Sequence, residues 1–148
     1  DSNKFNKIYS IEIFDNWYDF CSYRFKEEIK KGLVNMVFGP SSIKLKEVIE
    51  EIKEKEDSIL FWLDAHGKHG NESNNDIMPL EKELDIIFNS SLKNIIIAID
   101  DIAHPKRQEK WNYLGIMKSL KKNNYKFITY NKKENPHQIK EVIICYKI

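Results

Sequence analysis

The sequence predicts an α/β fold: a mostly parallel mixed sheet with flanking helices and an antiparallel hairpin at the C-terminus. Three observations carry this expectation. Short strand-like segments alternate with helical ones along nearly the whole chain, the order that builds a parallel sheet through right-handed crossovers. Two of those segments, SILFWL at 58–63 and NIIIAI at 94–99, are apolar without alternation, as strands buried on both faces are. The chain closes on YKFITY at 125–130 and EVIICYKI at 141–148, set around Asn135-Pro136, which reads as a hairpin.

The elements follow in order. KIYSIEI at 7–13 is a short strand ending at an acidic residue. Asp15 is placed to cap the helix of about 16–31. In it Trp17, Phe20, Cys21, Phe25 and Ile29 approximate helical spacing and form an apolar face. Gly32 is its expected stop. LVNMVF at 33–38 is the second strand, and Gly39-Pro40-Ser41-Ser42 a turn in which either serine can cap the next helix. That helix runs to about residue 56, with Ile43, Leu45, Val48, Ile49 and Ile52 inward. After SILFWL comes a polar loop at 64–76. Pro79 then sits in the first turn of a helix reaching about 89. After NIIIAI a second loop leads to a helix at about 109–122. Phe61 and Trp62 are expected in the core, because they lie in mid-strand.

The 148 residues suit one domain, 1–148, with one core. Hydrophobic residues make up 41% and charged residues 32%, the balance of a soluble globular chain. The net charge of +1 gives phosphate polymers and acidic membranes no bulk attraction, so neither nucleic acid nor a membrane is expected as partner. No apolar run nears the roughly 18 residues of a membrane span, and no signal peptide is visible. Cys21 and Cys145 lie far apart and form no CxxC pair. Two buried free thiols in a reducing, cytoplasmic compartment are expected. A homo-oligomer is among the partners the sequence leaves open. The KKEN and KEKE stretches read as solvated faces.

In an open α/β sheet, ligands bind beyond the carboxyl ends of the strands. The residues expected there are Glu12, the 39–42 turn, Asp64 with His66, and Asp100, Asp101 and His104. An acidic strand end such as Glu12 can accept hydrogen bonds from a ribose diol; it can equally be a solvated or capping carboxylate. Asp64, Asp100 and Asp101 would repel one another unless a cation lay between them, and a hard divalent ion such as Mg²⁺ suits such oxygen ligands. The same residues can instead cap helices or bind turn amides. His66 and His104 could act as ligand, general base or substrate contact, or be ordinary loop residues. No GxSxG, HExxH or GxxxxGK[ST] motif is present.

The run IYSIEI, VFGPSS, FWLDAHG, MPLEKEL and IIIAIDD resembles the class I S-adenosylmethionine-dependent methyltransferases, a Rossmann-like family. The nearest likeness is to bacterial members with a strand ending in Leu-Asp-Ala-His and a later one ending in Asp-Asp. The likeness covers the chain from about residue 7 to its end. It implies that Glu12 binds the cofactor ribose, that Ser41 and Ser42 lie near the adenine, and that Asp64 lies near the methionine part of the cofactor and the substrate. Asp64 and His66 would then serve catalysis, and Asp64, Asp100 and Asp101 would hold Mg²⁺ as in the metal-dependent O-methyltransferases, the acceptor being a small molecule or sugar.

The sequence departs from that family in two ways. The family's first strand and glycine-rich loop are absent, which leaves a gap in the expected sheet and removes the main backbone cradle for the cofactor; a truncated piece of a longer protein is expected. Pro40 also stands where many relatives have Asp, and it supplies neither a carboxylate nor a backbone donor. Two other functions fit the same residues: a metal-assisted hydrolase or hydroxylase-like enzyme using Asp64, His66, Asp100 and Asp101, and a non-catalytic binding domain.

Overall fold

The computed structural model describes residues 5–54, 58–64, 79–100, 112–135 and 138–147, with backbone alone at 131–135 and 138–141. The chain forms two compact units, Asp1–Ile52 and Lys53–Ile148.

In the first unit, β1 (Ile8–Glu12) and β2 (Val34–Phe38) pair in parallel from Ile8 against Val34 to Glu12 against Phe38. Between them the chain makes two helices, α1 (Asp15–Arg24) and α2 (Lys26–Lys30), and after β2 comes α3 (Ser41–Ile52). The single helix expected over 16–31 is broken at Phe25, whose φ of −102° leaves the helical range. Gly32 ends the segment with φ +71°, as expected. Asp15 does not cap α1. It is the first helical residue, Phe14 is the N-cap, and the carboxylate of Glu12 accepts the Phe14 N–H at 2.9 Å instead. α3 begins at Ser41, and the carbonyl of Pro40 accepts from Ile43 and Lys44, so Ser41 and Ser42 occupy its first turn.

Leu45, Val48, Ile49 and Ile52 of α3 and Val34 of β2 are the buried apolar residues of this unit. The Tyr9 hydroxyl donates to Glu51 at 2.7 Å, and the Lys7 ammonium donates to the same oxygen at 3.3 Å, tying α3 to β1. The face expected on α1 is not buried: Trp17, Phe20 and Phe25 are exposed, and Ile43 of α3 with them. Tyr18 meets β2 instead, its ring 5.3 Å from that of Phe38. Helical spacing identified one apolar stripe of α1, but the strands contact another.

In the second unit, β3 (Ile59–Leu63), β4 (Ile95–Asp100), β5 (Lys126–Asn135) and β6 (Gln138–Tyr146) form one sheet in the order β3-β4-β6-β5. β3 and β4 are parallel, and β6 is inserted antiparallel between β4 and β5. The predicted hairpin is therefore present, and it joins the sheet through its second strand. Two helices complete the unit, α4 (Leu80–Phe88), with Pro79 as N-cap, and α5 (Tyr113–Lys122).

The core of this unit is one face of the sheet: Phe61, Leu63, Ile97, Ile99, Ile143 and Cys145 are buried, with Leu84 and Ile87 of α4 and Ile116 and Leu120 of α5. The expectation that SILFWL and NIIIAI are buried on both faces is corrected. Leu60, Trp62 and Ile96 point from the other face and are exposed, because successive side chains of a strand alternate and the described helices cover the face of Phe61, Leu63, Ile97 and Ile99. Phe61 is core and Trp62 is not. Both cysteines are free thiols, Cys145 buried and Cys21 half-buried.

Candidate functional site

The carboxyl ends of the strands carry the candidate residues in each unit. In the first, Glu12 ends β1 opposite Phe38 of β2. The next residue of β2, Gly39, donates its N–H to the Glu12 carbonyl at 2.9 Å. Gly39 has φ +129°, and a Cβ there would come within 3.1 Å of the Lys44 side chain, so only glycine serves here. Glu12, Gly39, Pro40, Ser41 and Ser42 are thus gathered where the two strands end. The Glu12 carboxylate is half-buried and oriented through Oε1 by the Phe14 amide. It is therefore both a local capping group and a directed acceptor at a strand end.

In the second unit Leu63 pairs with Ile99. The next residues, Asp64 and Asp100, consequently leave the two parallel strands at the same level. Alternation puts them on the side of Trp62 and Ala98. Asp64 is exposed and Asp100 half-buried. Asp64 and Asp100 each follow directly on the last printed pair of this parallel register. His66, Asp101 and His104 lie outside the described residues, and among the described residues no cluster of three metal-ligating side chains occurs. Glu12, Ser41 and Ser42 belong to the first unit, Asp64 and Asp100 to the second.

Sequence reading passed over Glu83, in PLEKEL, which is 2% exposed and the one buried charged side chain among the described residues. Its signal was available: it falls on the stripe of Leu80, Leu84 and Ile87, where a charge is out of pattern. Asn112 was also missed. It adopts φ 45°, ψ 45° before α5 and donates to Glu81 of α4 at 2.7 Å, in a shallow groove also lined by Asp85, Gly115 and Ser119.

The fold is shared with solved methyltransferases. Precorrin-6y C5,15-methyltransferase from Geobacter metallireducens matches at TM-score 0.59 and 14% identity, over 96% of this chain and 68% of that one. SMU.1697c from Streptococcus mutans, solved in complex with SAH, matches at TM-score 0.64 and 13% identity, over 99% and 79%. An rRNA methylase from Streptococcus thermophilus matches at TM-score 0.58 and 12% identity, over 99% and 76%. This is the Rossmann-like methyltransferase fold. No family model and no curated protein matches the sequence. In this chain β6 lies antiparallel beside β4, and Glu12, Asp64 and Asp100 lie at strand ends. No helix among the described residues is long and apolar enough to cross a membrane.

Proposed function

We propose that the protein is an S-adenosylmethionine-dependent methyltransferase acting on an oxygen of a small molecule or sugar. The observation that carries this is the Glu12 carboxylate, held by the Phe14 amide at the end of β1 beside the Gly39 turn. A hydrogen bond to Oε1 orients the group and leaves Oε2 to accept from a ribose hydroxyl. The residues present fit a nucleoside in this respect, with Gly39 clearing the approach and Ser41 and Ser42 lining the start of α3. Support also comes from the fold, which SMU.1697c uses in a complex with SAH.

When bound, the cofactor supplies an electrophilic methyl group on a sulfonium sulfur. The chain's own part is to position the acceptor and manage its proton. Asp64, with His66 two residues on, is the proposed base that takes the hydroxyl proton. Asp64, Asp100 and Asp101 are the proposed ligands if a divalent cation lowers the pKa of that hydroxyl. Positioning and electrostatics supply the rate.

Calorimetric titration of the full-length protein with S-adenosylhomocysteine tests the reading. Saturable binding is expected, and Glu12→Ala should weaken it about 10- to 100-fold, the loss of a charged hydrogen bond. Equal affinity in Glu12→Ala would refute the ribose assignment. The near-neutral charge supports a small acceptor, but an rRNA methylase shares the fold. An acceptor screen that includes RNA therefore decides the substrate class. Titration with Mg²⁺ in the absence of cofactor, compared with Asp100→Ala, separates the metal-assisted hydrolase. That reading gains if the metal binds and the cofactor does not.

A further inference from the structure

The whole-chain charge of +1 averages two unlike regions. Residues 113–147, the stretch of α5, β5 and β6, hold eight lysines against two glutamates, with no arginine or aspartate, a charge of +6; the rest of the chain therefore carries −5. Charge segregated in this way points to a polyanionic partner that the overall balance conceals. Five of these lysines are exposed: Lys118, Lys121 and Lys122 on α5, Lys126 on β5, and Lys147 just beyond β6. Among the described residues none of the five is paired with a carboxylate. Lys121 instead lies over the Phe127 ring, 6.0 Å from its centroid, and Lys147 over that of Tyr125 at 4.7 Å. Register sets Lys132 of β5 opposite Lys140 of β6, so basic residues continue along the hairpin. β5 ends the sheet, and its outer edge has no strand partner among the described residues. On that strand Tyr130 is 58% exposed.

We infer that α5 and the β5 edge form a binding surface for a single-stranded nucleic acid. Lysines without carboxylate partners meet successive phosphates at no cost of a broken ion pair, and the counterions released from the strand drive the association. The exposed Tyr130 ring gives an unpaired base a face to stack on, which needs no particular sequence. A duplex keeps its bases stacked on one another and leaves that ring unused. An anionic membrane would meet the same charge, but surface helices are held there by a broad apolar face. The apolar residues Ile116, Met117 and Leu120 of α5 are buried, and Leu114 is its one exposed large hydrophobic side chain. The inference assigns binding and not the methyl acceptor, so it stands or falls apart from methyl transfer.

Fluorescence anisotropy tests it, with labelled oligouridylate and oligothymidylate of about 20 nucleotides, longer than one binding site, titrated with the full-length protein from about 50 to about 200 mM salt. Saturable binding that weakens as salt rises is expected. Lys121→Glu combined with Lys122→Glu and Lys126→Glu should weaken it at least about tenfold and flatten the salt slope by about 2, three phosphate contacts at roughly 0.7 each. Tyr130→Ala should weaken it at least about fivefold, the loss of one base stack, with the slope nearly unchanged. Lys26→Glu with Lys30→Glu and Lys31→Glu, exposed lysines of the first unit, makes the same change in net charge and should leave affinity within about twofold. Melting temperatures check that each variant folds, and the three Lys→Gln changes replace the Lys→Glu set if that set unfolds. Binding of either strand with this pattern of losses upholds the inference, and the preferred strand tells which sugar the partner carries. It is overturned if neither strand binds at low salt, if the two lysine sets lose affinity equally, or if Tyr130→Ala binds as the parent does. Binding to phosphatidylserine vesicles with none to either strand overturns it as well.

Discussion

At the scale of single residues, Cys145 of β6 is kept away from solvent while Cys21 is half-buried. Burial pushes the Cys145 thiol up to about 12, which makes it a packing residue rather than a nucleophile. Tyr125 is raised as well, first by burial and then by the neighbouring Cys145. The folded-state value for Cys145 lies above that of the unfolded chain, about 8.5. Its contribution to stability is therefore complete below about pH 8.5 and is lost as pH rises towards 12. Melting temperature should fall between pH 8 and pH 11, and Cys145→Val should reduce that fall; an unchanged fall would place the alkaline sensitivity elsewhere. Glu12 and Asp64 were legible in the sequence because an acidic residue closing an apolar strand is a local pattern. Glu12's hydrogen bond to the Phe14 amide was not, because it replaces the cap that Asp15 was expected to provide.

Among the elements, alternation along the strands decides which substitutions matter. Ile96 and Ile97 are neighbours in one apolar run, yet Ile97 is fully buried and Ile96 exposed. Ile97→Ala should cost about 2–5 kcal/mol in denaturant unfolding, and Ile96→Ala less than about 1 kcal/mol. Similar costs would mean that the second face is covered in the molecule measured. Strand and helix positions were largely legible, because hydrophobic segments and turn residues are local signals. The break at Phe25 was not, and neither was the apolar stripe of α1 that meets the sheet, since Tyr18 was chosen by contact with Phe38 on β2.

For the molecule as a whole, the two units differ in what they bury. Among the described residues, the first buries Val34, Leu45, Val48, Ile49 and Ile52, all aliphatic and most from one helix. The second buries residues of both helices and of three strands, including Phe61, Leu84, Ile87, Ile99, Leu120 and Ile143, and Tyr125 between α5 and β5. Small chains with few buried side chains rarely fold alone. A fragment of residues 53–148 should therefore melt cooperatively by circular dichroism, while a fragment of residues 1–52 should show little ordered structure. A cooperative transition in the shorter fragment would show that the α3 stripe suffices as a core.

The order of strands and helices, the terminal hairpin and the acidic strand ends were set by the sequence alone, because each rests on residues close together in the chain. Only the tertiary structure decided that β6 enters between β4 and β5, that Asp64 and Asp100 follow the paired residues Leu63 and Ile99, and that Leu60, Trp62 and Ile96 are exposed while their strand neighbours are buried. Those features depend on pairings between distant segments, and a strand's own residues cannot specify which neighbour it meets or what covers its second face.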